Sequence, residues 1–154
     1  MIWYFAYGSN MDAARLFDDR LAPEGLDRGE RIAGRLDGWR LVFNKPARTP
    51  PGAAAGNIVV APGDVVHGTL NRLPPRALEV LDRFEGVAGG HYRREIVQAA
   101  KGDSGMLVEA VTYVALLTGE ALRPTRAYLA HLLAGSDLLP VDYSRRLRET
   151  PTID

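Results

Sequence analysis

The sequence predicts an α+β fold, a mostly antiparallel sheet curled around a core with helices on its outside. Two observations lead there. Apolar runs of strand length follow one another across short glycine- and proline-bearing turns. Amphipathic stretches of helical period interrupt them in the order strand, helix, a run of strands, helix, two strands, two helices. A chain of 154 residues also suffices to bury roughly 70% of its unfolded surface. No internal repeat, low-complexity segment or interdomain linker is visible. The expected organisation is therefore one domain over residues 1–149 and a frayed tail over 150–154.

The chain opens on the apolar, aromatic run Ile2 to Tyr7, short enough to read as a buried strand. Gly8-Ser9-Asn10 ends it, with Ser9 or Asn10 able to cap a helix whose inner face carries Ala13, Leu16, Phe17 and Leu21. After a loop over Pro23 to Gly29, Arg31–Leu36 and Trp39–Phe43 read as a hairpin around Asp37-Gly38. Lys45 to Gly56 is rich in Pro, Gly and Ala and reads as an irregular loop. Asn57–Ala61 and Val65–Leu70 read as a second strand pair across Pro62-Gly63. Pro74 and Pro75 open a helix through Phe84 with Ala77, Leu78, Leu81 and Phe84 inward, and Gly86 stops it. Tyr92–Ala99 and Met106–Leu116 are two further strands turned at residues 101–105. Thr125 caps a helix with Tyr128, Leu129, Leu132 and Leu133 on its apolar side, and Pro140 starts a last helix through Glu149.

Composition excludes several function classes. There is no cysteine, which removes disulfides, a thiol nucleophile and thiolate metal sites. The 19 basic and 19 acidic side chains cancel, without the basic excess of a nucleic-acid binder. No segment is long and apolar enough to span a bilayer. The N-terminus lacks the basic region and small-residue cleavage site of a signal peptide, so the expected address is the cytoplasm. His67, His91 and His131 lie far apart without ligand spacing, so no metal is expected. Nor is a cofactor: Gly8-Ser9-Asn10 fits no GxGxxG, and there is no GxxxxGK[ST] and no GxSxG.

Three features remain. Tyr7-Gly8-Ser9-Asn10 is either a plain strand-to-helix turn or a set of N–H groups that binds an anion such as a carboxylate. Glu85, at the end of a helix, is either a solvated acid or one placed against the helix dipole for a reason of its own. Tyr92, Tyr128 and Tyr143 are either core residues with a wet hydroxyl or pocket residues.

Tyr4-Phe5-Ala6-Tyr7-Gly8-Ser9-Asn10-Met11 resembles the N-terminal signature of the γ-glutamylcyclotransferase family, whose superfamily includes the plant avirulence-induced-gene-2-like proteins. Leu81-Asp82-Arg83-Phe84-Glu85-Gly86, followed by Tyr92-Arg93-Arg94, is similar to the segment that carries the family's catalytic glutamate. Pro124-Thr125-Arg126-Ala127-Tyr128 and Leu139-Pro140-Val141-Asp142-Tyr143 resemble later elements in the right order. The resemblance implies a small, mixed β-barrel with helices around it. It implies conversion of a γ-glutamyl compound into 5-oxoproline and a free amino acid or amine. By position it makes Glu85 the catalytic acid/base. Tyr7, Gly8, Ser9 and Asn10 become the loop holding the glutamyl head, and Tyr128 and Tyr92 residues of that pocket. One departure is Leu138, where amino-acid-releasing relatives often have glycine.

Such a reaction needs no protein nucleophile, because the substrate's α-amine attacks its own γ-carbonyl. One carboxylate can move the protons, and burial raises its pKa toward that of the amine. Glu85 is therefore expected partly buried at the barrel mouth, facing the Gly8-Ser9-Asn10 turn, whose N–H groups hold the α-carboxylate or the oxyanion. The expected partners are a small γ-glutamyl substrate and, by family analogy alone, a second copy of the chain, with neither nucleic acid nor membrane. Rival readings are cyclotransfer on γ-glutamylamines, removal of a γ-glutamyl protecting group in a biosynthetic pathway, and a non-catalytic binding module on the same fold.

Overall fold

The computed structural model describes residues 1–154. Five strands, β1 (Ile2–Ala6), β2 (Arg31–Pro46), β3 (Ala54–Leu73), β4 (Tyr92–Lys101) and β5 (Leu107–Ala115), close a barrel in the order β1-β3-β2-β4-β5. Every pairing is antiparallel except β1 with β5, which meet in parallel at Tyr4 and Val111. The mixed, mostly antiparallel barrel is therefore as expected. Around it lie a π-helix (Ala14–Leu21) and three α-helices, α1 (Ala77–Phe84), α2 (Arg126–Leu133) and α3 (Val141–Arg148), with short 3₁₀ turns between them. No helix is long and apolar enough to cross a membrane.

β1 explains its own composition. Its side chains alternate between two cores: Trp3 and Phe5 join a cluster of mostly strand-borne residues such as Leu36, Ile58, Val66, Leu70 and Val97. Tyr4 and Ala6 join a second cluster with Leu16, Phe17, Leu81, Leu132 and Leu147 from the helical side. A strand buried on both faces needs a continuous apolar run rather than an alternating one.

Two expected hairpins are absent. Arg31–Leu36 and Trp39–Phe43 are one strand, β2, and Asn57–Ala61 and Val65–Leu70 are one strand, β3. These long strands pair with each other from Arg31↔Asn71 to Pro46↔Ala54. The turn-like residues instead form a shared kink: Asp37 pairs with Val65 and Trp39 with Val60, so Gly38 lies opposite the four residues 61–64. Gly38 and Gly63 take φ of +84° and +89°, and Pro62 has no N–H to give a ladder. Such residues bend a strand pair as readily as they reverse it. The true reversal is residues 47–53, within the expected loop, whose ends belong to β2 and β3.

The first helix also differs. Ala22 N–H bonds to Phe17 O, five residues back, which gives π geometry. Its start is capped by neither Ser9 nor Asn10; Asp12 Oδ1 accepts from the N–H groups of Ala14 and Arg15. At α1, Phe84 is not inward but half-exposed. Thr125 caps α2 as expected, accepting from Tyr128 N–H at 3.0 Å. The tail expected to fray is held: Ile153 N–H donates to Pro124 O, and the Asp154 carboxylate accepts from Arg126 N–H.

Candidate active site

A cavity of about 370 Å³ opens where the end of β1, the end of α1, α2 and the 47–53 reversal meet. It is lined by Tyr7, Gly8, Ser9, Asn10, Glu85, Tyr92 and Tyr128, so every site residue expected from the sequence faces one space. Its size suits a small molecule. Tyr143 is not among them; it stacks edge-on against His67 at 5.0 Å. Leu138 is also elsewhere, lining a surface hollow with Arg35, His67 and Pro140.

Glu85 follows the last residue of α1, and Gly86, at φ +65°, turns the chain away. Its carboxylate has no ion-pair partner, although arginines surround it. Burial raises its pKa to about 7, against the opposing pull of Arg20, Arg15 and Lys45. A carboxyl poised there exchanges protons in both directions near neutral pH.

The tyrosines divide by what they do with their protons. Tyr7 donates to Tyr113 O at 2.6 Å and Tyr92 donates to Gly56 O at 2.7 Å, so both hydroxyl protons are engaged. Tyr128 instead accepts, from Gly56 N–H at 2.8 Å, and Tyr4 accepts from Asn10 Nδ2 at 3.0 Å. Each of these two keeps a hydroxyl proton to donate into the cavity. Burial pushes both phenols up, Tyr128 to about 12, so the protons stay in place.

A bulge in β2 explains Gly56. Register shifts between Val42↔Asn57 and Lys45↔Ala55, and residues 43–44 arch away from the ladder. The N–H and C=O of Gly56 are thereby free to hold Tyr128 and Tyr92. Gly8 matters for space rather than for backbone freedom. Its φ is −115°, and a Cβ there would lie 3.0 Å from the Tyr128 hydroxyl. The turn's own bonds, Met11 N–H to Gly8 O and Asp12 N–H to Ser9 O, use carbonyls and leave the Ser9 and Asn10 N–H groups outside them.

The cavity also holds residues the sequence reading missed: Tyr4, Arg15, Arg20, Arg48, Phe84 and Tyr113. Arg20 donates to Asn10 Oδ1 at 3.0 Å and lies 4.6 Å above the ring of Phe84. Tyr113 donates to Asp82 at 2.7 Å, and Asp82 is clamped by Arg94. Lys45, buried, donates to Pro46 O and stands over the Tyr92 ring. The signals were faint: an arginine inside an apolar helical stretch, and one of only two lysines placed at a bulge. Three arginines and one acid line the cavity, although the whole chain is neutral.

Comparison with known proteins agrees with the geometry. The model of the AIG2-like family matches residues 65–147, the stretch that carries Glu85, Tyr92 and Tyr128. "Putative gamma-glutamylcyclotransferase YkqA" of Bacillus subtilis (strain 168) is 28% identical over 96% of this chain, which spans 51% of that protein's length. The γ-glutamylcyclotransferase of Bos taurus is 27% identical over 94% of this chain and 76% of its own. A solved γ-glutamyl cyclotransferase superposes with a TM-score of 0.85 at 24% identity, covering 99% of this chain and 89% of its own, which establishes the shared fold.

Proposed function

The chain belongs to the AIG2-like family, and from that membership and the cavity around Glu85 we propose that it is a γ-glutamyl cyclotransferase. It converts a γ-glutamyl compound into 5-oxoproline and a free amino acid, with Glu85 as the acid/base. The observation that carries this reading is a partly buried, unpaired carboxyl with its pKa near 7, set among donors whose protons are unspent.

Glu85 takes one proton from the substrate's α-ammonium. The amine attacks the γ-carbonyl carbon, the new C–N bond closes a five-membered ring, and negative charge moves onto the carbonyl oxygen. The Tyr4 and Tyr128 hydroxyls and the Ser9 and Asn10 N–H groups are the donors available to that oxygen and to the α-carboxylate. Glu85 then returns its proton to the leaving nitrogen as the old C–N bond breaks. The second proton of the attacking nitrogen departs with the product amine, which leaves as an ammonium.

Energetics favour the arrangement. An α-amine near 8 and an ordinary glutamate near 4.3 leave an uphill transfer of about 5 kcal/mol. With Glu85 at about 7, about one unit and roughly 1.4 kcal/mol remain. Holding amine and carbonyl in contact supplies about 7–11 kcal/mol more. Arg15, Arg20 and Arg48 around a single acid favour a substrate with two carboxylates, hence an amino-acid leaving group over a simple amine.

A γ-glutamyl dipeptide and its α-N-acetyl derivative separate this mechanism from hydrolysis. The free dipeptide is expected to yield 5-oxoproline and the acetylated one nothing. Release of glutamate, or turnover of the acetylated compound, contradicts the proposal.

A further inference from the structure

We propose that Asp12 and His131 form a positioning relay that presents Arg15 to a carboxylate of the substrate. The inference rests on the cyclotransferase reading and concerns residues outside the motifs that support it. Arg15 lines the cavity. Its Nη1 lies 3.1 Å from His131 Nε2, and His131 Nδ1 lies 2.8 Å from Asp12 Oδ2. A guanidinium can only donate, so His131 Nε2 accepts. The ring proton is then on Nδ1, donated to Asp12. The carboxylate thereby fixes the tautomer that Arg15 requires.

Asp12 serves the relay twice. Its other oxygen accepts from the N–H groups of Ala14 and Arg15, so one residue sets both the backbone and the side-chain partner of Arg15. His131 stands three residues after Tyr128 on α2, hence on the same helical side. One helix thus places both the phenol donor and the anchor of the guanidinium.

The rest of Arg15 is unspent. Its Nε is buried and has no hydrogen-bond partner, and only Nη1 is engaged. Nε and Nη2 form the edge that meets a carboxylate side-on in two parallel bonds. Nη2 likewise makes no hydrogen bond and is not closed off as Nε is, so it is the donor open to a carboxylate in the cavity, with the unpartnered Nε beside it. Because the relay orders the arginine beforehand, less rotamer freedom is lost when substrate arrives.

The test is a set of steady-state measurements of 5-oxoproline release from γ-glutamyl-alanine. The proteins are the wild type, R15M, H131L, D12N and the R15M/H131L double variant, with thermal melting as a control on folding. R15M is expected to raise KM by about tenfold, the loss of a charge-assisted hydrogen bond. H131L raises KM severalfold and leaves kcat within about twofold, since it touches no reacting atom. D12N acts in the same direction, because its amide N–H donates to Nδ1 and moves the ring proton to Nε2, where it faces the guanidinium. It also keeps the test open should H131L fold poorly. The double variant is expected to be no worse than R15M alone. An unchanged KM in both H131L and D12N, or effects of R15M and H131L that multiply, overturns the relay while leaving the cyclotransferase reading intact. A wild type that releases no 5-oxoproline from any γ-glutamyl dipeptide overturns that reading, and the inference with it.

Discussion

At the scale of the residue, Glu85 is placed where its charge is costly. Its pKa is raised from 4.5 to about 7 by burial, so kcat/KM is expected to rise with pH through a midpoint near 7 and to fall above about 8, where the substrate's ammonium loses the proton that Glu85 passes on. A pH–rate profile checks this, and a midpoint near 4 would mean a solvated carboxylate. The same shift fixes the sign of a stability effect. Below about pH 4.5 Glu85 is neutral in both folded and unfolded chains. Between there and about 7 the unfolded chain ionises first, so folding stability falls as pH rises. Glu85→Gln is therefore expected to stabilise the fold by about 1–3 kcal/mol at pH 8, with no gain below pH 4.5. Denaturant titration at the two pH values reads the difference. Glu85 stood out in the sequence because an acid at a helix C-terminus opposes the dipole, and its role as acid/base was implied by the resemblance of Leu81 to Gly86 to the family's segment. Arg15 and Arg20 did not, because in a chain whose basic residues are nearly all arginine, no single one stands out until folding brings it to the cavity.

At the scale of the element, the order of strands and helices was readable, and the turns were where reading failed. Asp37-Gly38 and Pro62-Gly63 carry hairpin chemistry, yet lie opposite each other in one bent pair of long strands. Local residues can specify a sharp change of direction; whether it is a bend or a reversal depends on the partner strand, which no local pattern names. The bulge at residues 43–44 was invisible for the same reason, although it frees Gly56 to hold two tyrosines. The turn after β1 lines the cavity, but Gly8 supplies room there rather than the unusual φ that the sequence suggested. Gly8→Ala is accordingly expected to displace the Tyr128 hydroxyl, 3.0 Å from the new Cβ. The expected cost is about tenfold in kcat/KM, since a shift of a few tenths of an ångström relieves the contact and a full 1 Å misplacement costs about a hundredfold. Activity close to wild type in that variant would show that the Tyr128 position is not needed.

At the scale of the whole molecule, the barrel joins an interior core to an exterior one, and β1 belongs to both. Phe5 is fully buried in the interior, and Phe5→Ala is expected to cost about 3–5 kcal/mol, which lowers Tm by about 10 °C in a chain of this size. A calorimetric scan measures it, and a shift of only a degree or two would mean that the interior is loosely packed. The neutral total charge says little about the site, where cations cluster around one acid, and the lack of cysteine suits a reaction whose nucleophile arrives with the substrate. The most direct test of the central claim is the amount of 5-oxoproline formed from γ-glutamyl-alanine by the wild type and by Glu85→Gln at pH 8. The wild type is expected to turn over and the variant to lose about a hundredfold or more, the usual size of an acid/base contribution, while melting at no lower temperature. Equal rates from the two proteins would contradict the account.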